Sequence, residues 1–265
     1  MVDERVRQRL RDTTRFGDIR ECERVDSTNR WLLDAAAAGA AEGLVAVADH
    51  QVSGRGRLGR VWEAPPGSAL LMSVLLRPAG LPVDRFHLLT AAVGLAARQA
   101  CREVAGFTPG LKWPNDLLVG PAKLAGILAE ARDGAVVVGV GCNVAGAPPG
   151  AISAETAAGR PVDRGALLGA LLAALERWYG RLGEVPAAYR AACATIGQVV
   201  RVSLPAGDLI GLAEGVDDDG RLLVRPPRWP VRAISAGDVV HLRPAPFSLG
   251  GLSPAAGEDH AVGES

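Results

Sequence analysis

Apolar positions along the chain change period several times, and each change marks an element. In residues 1–20, Val6 and Leu10 face away from Arg5, Arg7, Arg9 and Arg11, the pattern of a short amphipathic helix. Asp26-Ser27-Thr28 supplies N-cap chemistry ahead of Trp31-Leu32-Leu33 and an alanine run that Gly39 closes, which predicts a second helix. GLVAVADHQ (43–51) and ALLMSVLLR (69–77) read as buried strands, separated by a long loop, 53–68. From about Asp84 to Val104, Phe86, Leu89, Val93 and Ala97 recur on one helical face. Four closely spaced β-like runs follow, LKW, DLLV, KLAGILAEA and AVVVGVGCNV, punctuated by Pro, Asn and Gly. Neighbouring antiparallel strands explain that spacing, so an α+β mixed sheet with helices fits better than a regular βαβ repeat. The segment 147–163 is loop-like, 165–182 is strongly helical and 186–193 is a shorter helix. Beyond about Thr195 short alternating pieces separated by Gly and Asp predict a small β-barrel. The expected organisation is a larger α+β domain over 1–194, a β domain over 195–245 and a disordered tail over 246–265, which lacks periodicity.

Composition narrows the function. The 265 residues carry 29 basic and 29 acidic side chains, a balance that argues against non-specific nucleic-acid or membrane binding. No uncharged apolar run reaches the ~18–20 residues of a membrane span, and the charged start MVDERVRQRLRD is unlike a signal sequence, so a cytoplasmic protein is expected. Cys22, Cys101, Cys142 and Cys193 form no CxxC pair, which removes zinc ribbons and thioredoxin-like motifs. Of the basic residues only Lys112 and Lys123 are lysine. In a chain so rich in arginine, two lysines eleven residues apart point to a place where a compact ammonium is required.

Four segments carry chemistry. Ser53-Gly54-Arg55-Gly56-Arg57-Leu58-Gly59-Arg60, followed by Val61-Trp62, offers backbone amides and three guanidinium groups to a carboxylate or phosphate. The same composition serves a solvated or RNA-binding loop, and no Walker Gly-Lys-Ser/Thr follows. Lys112-Trp113-Pro114-Asn115-Asp116 makes a sharp connection between strands, with Asp116 placed to hold a divalent cation or a polar substrate. Lys123 begins an apolar strand, where a lysine needs an anionic partner unless it snorkels at the strand end. Asp26-Ser27-Thr28-Asn29 is a helix cap that can also bind ligand, and Gly139-Val140-Gly141-Cys142-Asn143 is a strand whose glycines admit a close neighbour or a bulge.

Taken in order, DSTN, QVSGRGRLGRVW, KWPNDLLV, KLAGILAE and VGVGCNV, followed by a small β domain, resemble the biotin-protein ligases over about residues 20–245. The resemblance implies a catalytic domain akin to class II aminoacyl-tRNA synthetases with an SH3-like C-terminal domain. It also implies a two-step reaction: biotin and MgATP give biotinyl-5'-adenylate, and the acyl group then passes to a lysine of the biotin carboxyl carrier domain of an acyl-CoA carboxylase.

Carried over residue by residue, Ser27, Thr28, Asn29 and Gln51 would hold the ureido ring. Gly54, Arg55, Gly56, Arg57 and Gly126 would complete the biotin site. Arg55, Arg57, Arg60, Trp62, Lys112, Asn115 and Asn143 would face ATP. Lys123, Arg57 and Asp116 would be catalytic, and Asp116 would serve the metal, Mg2+. Only a helix-length segment precedes DSTN, so a ligase without a DNA-binding domain, monomeric or weakly dimeric, is expected. The rival readings are a lipoate- or octanoyl-transferring enzyme of the same superfamily and a nucleic-acid-binding regulator.

Overall fold

A computed structural model describes residues 2–242 except positions 206 and 236; the expected tail over 246–265 lies outside the described residues. In chain order the first part comprises α1 (Glu4–Thr13), β1 (Ile19–Val25), α2 (Thr28–Ala37), β2 (Val45–Gln51), β3 (Ala69–Leu76), α3 (His87–Ala100), β4 (Gly110–Lys112), β5 (Asp116–Val119), β6 (Ala122–Arg132) and β7 (Ala135–Asn143). Then come α4 (Ala154–Ala158), α5 (Arg164–Tyr179), α6 (Val185–Ala192), β8 (Val199–Leu204), β9 (Gly207–Val216), β10 (Leu222–Arg225), β11 (Arg232–Ile234) and β12 (Asp238–His241).

Strands β1 to β7 form one sheet in the order β1-β2-β3-β7-β6-β5-β4. Only β1 and β2 run parallel; the other neighbours are antiparallel. β3 sits between β2 and β7 and every one of its residues is buried, which is why ALLMSVLL reads as a continuous apolar run. On β7 the even positions Val136, Val138 and Val140 join the main core with α3 and α5. The odd positions alternate to the opposite face, where α2 covers one end through Leu32, Leu75 and Val137. The remainder of that face holds Gly139 and Gly141, and there a cleft opens.

Two elements differ from the sequence expectation. The helix read over 1–20 ends at Thr13, and Ile19–Val25 is an additional strand, β1. Being at the edge of the sheet, β1 buries only Ile19, so IRECERV shows no apolar alternation. The 147–163 loop contains the short helix α4, which Ser153 caps by accepting from the Thr156 amide and Gly159 ends in the left-handed region at φ 66°.

Strands β8 to β12 form a second, five-stranded antiparallel sheet, order β11-β10-β9-β8-β12, around Val200, Val202, Ala213, Leu222 and Val224. All four cysteines are free, and burial pushes the Cys101 thiol up to about 12, so that group stays a protonated, inert core residue.

Candidate active site

The cleft encloses about 850 Å³, its open mouth included, and its floor is the β6–β7 pair. Gly126 and Gly141 face each other across that pair. A Cβ on Gly141 would fall 2.5 Å from Trp62 Cε2, and one on Gly126 would fall 3.3 Å from Trp62 Cζ3. The two glycines therefore make a notch into which the indole settles. A third glycine, Gly139, does the same for Asn29: a Cβ there would lie 2.3 Å from Asn29 Oδ1. The glycine interruptions of this strand are thus sites of close approach, with two identified occupants.

One end of the cleft is polar and already bonded within itself. Ser27 takes the N-cap position of α2, yet its side chain makes no capping bond. Gln51, at the end of β2, supplies the cap instead: its Oε1 accepts from the Thr28 amide at 2.8 Å and from Thr28 Oγ1 at 3.0 Å. The buried Ser73 hydroxyl donates to Asn29 Oδ1 at 2.7 Å and lies 2.7 Å from Thr28 Oγ1. Asn29 Nδ2 donates to the Leu128 carbonyl at 3.1 Å and to Glu130 Oε2 at 2.8 Å. Both amide protons of Asn29 are spent, which leaves it one carbonyl lone pair for a ligand. The Ser27 hydroxyl and the Gln51 amide nitrogen carry no bond among the described residues, so this end offers both a donor–acceptor and a donor.

The other end is cationic. Arg55, Arg57, Arg60, Lys112 and Lys123 line it against two carboxylates, Asp116 and Asp238, in a chain of zero net charge. The Arg/Gly loop folds as a small hairpin closed by Gly56 N–H to Arg60 O at 2.7 Å and Trp62 N–H to Gly54 O at 3.0 Å. Leu58 at φ 56° and Gly59 at φ 74° make its tip. Arg57 Nη1 donates to Asn115 Oδ1 at 3.3 Å and to the Gly237 carbonyl at 3.4 Å. Burial pulls the Arg57 pKa down, against the opposing pull of Asp116 and Asp238, so the guanidinium has neutral direct partners and gains from an arriving anion. Arg60 pairs with Asp238, from the second sheet. Lys123 Nζ lies 2.7 Å from Asp116 Oδ1 and 5.6 Å from the Trp62 ring centre.

Ser27, Thr28, Asn29, Gln51, Arg55, Gly56, Arg57, Arg60, Trp62, Lys112, Asn115, Asp116, Lys123 and Gly126 all line this one cleft. Two of the residues expected there do not. Gly54 is at the base of the hairpin, where a Cβ would meet the Trp62 carbonyl at 2.3 Å, so a glycine there lets the hairpin close. Asn143 is buried beside the cleft, with its amide directed at the Ile152 carbonyl at 3.3 Å and the Lys123 carbonyl at 3.5 Å. Sequence reasoning quoted Trp113 and Glu130 inside its motifs without giving them a role, and passed over Ser73 and Asp238. Ser73 had a signal, a lone hydroxyl in an apolar strand; Asp238 lies in another domain and had none. Among the described residues no group of three His, Cys, Asp or Glu side chains could hold a metal by itself.

Residues 21–146 match the Biotin/lipoate A/B protein ligase family, and residues 195–242 match the Biotin protein ligase C terminal domain. The chain is 43% identical over 230 residues to the biotin--[acetyl-CoA-carboxylase] ligase of Mycobacterium tuberculosis, covering 82% of this chain and 86% of that one. It is 36% identical over 226 residues to the enzyme of the same name from Paracoccus denitrificans, covering 77% and 92%. Among solved structures, the biotin protein ligase from Aquifex aeolicus in complex with biotin and ATP superposes with a TM-score of 0.73 at 27% identity, over 86% of this chain and all of that one. The chain belongs to the biotin/lipoate protein ligase family, in its biotin protein ligase branch.

Proposed function

We propose that this protein is a biotin--[acetyl-CoA-carboxylase] ligase, acting in the cytoplasm and forming biotinyl-5'-AMP from biotin and ATP before passing biotin to one lysine of a carboxylase carrier domain. The observation that carries this reading is the polarity of a single cleft. One end presents donors and an acceptor held in place by Gln51, Thr28 and Ser73, as a ureido ring with one carbonyl and two N–H groups requires. The other end carries five cations, as a carboxylate beside a triphosphate requires. The match over 195–242 to the C-terminal domain of biotin protein ligases supports biotin over lipoate.

In the first step a biotin carboxylate oxygen attacks the α-phosphorus of ATP, and the bond to the departing pyrophosphate breaks. Lys123, with Arg55 and Arg57 from the loop, neutralises the negative charge gathered where carboxylate and phosphate meet. In the second step the acceptor lysine amine attacks the acyl carbon and AMP leaves. Asp116, paired to Lys123, takes the proton that the amine sheds. If ATP enters as its magnesium complex, Asp116, of the two carboxylates at this end, would be the group to meet the ion, since Mg2+ keeps several waters and takes one or two carboxylates beside substrate phosphates.

The test is pyrophosphate release with ATP and either biotin or lipoate, followed by transfer of label to a purified carrier domain. Release that depends on biotin and ignores lipoate is expected. Release without biotin, or a preference for lipoate, overturns the reading.

A further inference from the structure

Trp113 stands next to the reacting groups but is tied to the second domain at both its backbone and its ring. The turn between β9 and β10 (Asp217–Arg221) rests against the first domain. There Arg190 of α6 donates to Asp218 at 2.7 Å and Arg85 lies 3.7 Å from Asp219, both at the exposed rim, where ion pairs hold weakly. The inner contact is different. Trp113 Nε1–H donates to the Gly220 carbonyl at 2.9 Å. Gly220 sits at φ 73°, and a Cβ on it would fall 2.2 Å from His87 Cδ2, so only glycine seats the turn at this depth. The Trp113 amide, for its part, donates to the fully buried Thr195 Oγ1 at 3.0 Å, which lies 3.1 Å from His241 Nε2 on β12.

Immediately after Trp113 the turn delivers Asn115, which accepts from Arg57, and Asp116, which pairs with Lys123. By contrast, among the described residues the internal bonds of the polar end run among α2, β2, β3 and β6, and none reaches the second domain. We propose that Gly220 and Trp113 are positioning residues: the β9–β10 turn sets where the β4–β5 turn sits, and so sets the spacing of Asp116 and Lys123 from the arginine loop without touching the ureido end. The catalytic part of this statement rests on the ligase reading above; the mechanical part stands without it.

The experiment uses the full chain with Gly220→Ala, which drives a methyl into the His87 ring. Turnover in biotin-dependent pyrophosphate release falls about tenfold to a hundredfold, as small misplacements of reacting groups cost. Biotin affinity stays within about twofold, because the ureido end keeps its bonds. Amide hydrogen exchange over 111–117 accelerates. Trp113→Phe, which keeps a ring and removes the donor, moves the same readouts in the same direction by less. Adding His87→Ala to Gly220→Ala vacates the space the methyl needs and restores turnover and exchange protection in part, the strain of a side chain at φ 73° remaining.

Unchanged turnover and exchange in Gly220→Ala, or biotin affinity falling in step with turnover, would each overturn the proposal. Should Gly220→Ala fail to fold, Trp113→Phe decides by the same split between turnover and biotin affinity. If the unaltered protein releases no pyrophosphate with biotin, the ligase reading fails while hydrogen exchange still decides the coupling.

Discussion

The two ends of the cleft are built on opposite principles. At the polar end, Thr28, Asn29 and Ser73 are buried, and each is bonded to its neighbours before any ligand arrives. At the cationic end, Arg55 and Arg60 are more than half exposed, and the partners that hold them are Glu130 and Asp238, themselves charged and replaceable. A rigid end selects shape, because any misfit leaves buried polar groups unpaired. An adaptable end can exchange its internal carboxylate partners for a substrate anion and close on it. In the proposed reaction, the difference assigns recognition and retention of the activated acyl group to separate pieces of backbone, the sheet face and the hairpin.

The largest effect is expected where the two ends meet. Lys123 lies over Gly126, with Nζ 3.2 Å from where a Cβ there would stand, and against Trp62, so a planar guanidinium has no room to reach the same point. Both Lys123→Arg and Lys123→Ala should lower biotin-dependent pyrophosphate release about 100–1000-fold. A near-normal rate for the Arg form would show that charge alone suffices. Next in size is Gly139→Ala at the rigid end. Its methyl displaces Asn29 and breaks the bonds to Ser73, Leu128 and Glu130, so biotin binding measured by calorimetry weakens about tenfold to a hundredfold. If affinity is unchanged, the rigid end is softer than its bonding implies.

At the adaptable end a smaller effect is expected. With biotin and ATP together at about ten times the concentration giving half-saturation, tryptic cleavage at Arg55, Arg57 and Arg60 should slow about tenfold, while biotin alone protects less. Equal rates would mean that the hairpin does not close on ligand. The smallest effect concerns His241, whose pKa burial and nearby Lys112 lower below the ordinary value of about 6.5. The folded chain prefers the neutral ring, so between the two values the unfolded chain binds more protons and stability rises with pH. Melting temperature should therefore fall as the pH drops from about 6.5 through the lower folded value, and His241→Gln should reduce that slope. An identical slope in the variant would remove His241 from the acid response.

Much of the cleft was legible because its residues sit in short contiguous runs, where scarcity and spacing speak: two lysines, an Arg/Gly loop, a glycine-spaced strand. What those runs approach was not. Gly139 and Gly141 announce a close neighbour, but only the fold shows that the neighbours are Asn29 and Trp62. The helix cap was read at Asp26-Ser27-Thr28 on local propensity, and a side chain twenty-three positions away, Gln51, performs it. β1 escaped notice because an edge strand has no apolar face to show. Asp238 and Gly220 carry no local mark, since their importance arises entirely from where the second sheet rests on the first.

The seat of Trp62 has an optical consequence. Its indole N–H is buried without a partner among the described residues, and the ring rests in the notch of Gly126 and Gly141 beside the Lys123 ammonium. Of the five tryptophans, Trp31 and Trp229 stand outside the cleft with 36% and 72% of their surface exposed, so their emission gives a steady background. An acceptor brought to the Trp62 N–H, or an anion that draws Lys123 away from the ring, changes the surroundings of Trp62, while Trp113, which also lines the cleft, is present with and without Trp62 and cancels in the difference. Recorded as the difference between this chain and Trp62→Phe, the fluorescence shift becomes a built-in, label-free signal of filling at the junction between the recognising face and the closing hairpin.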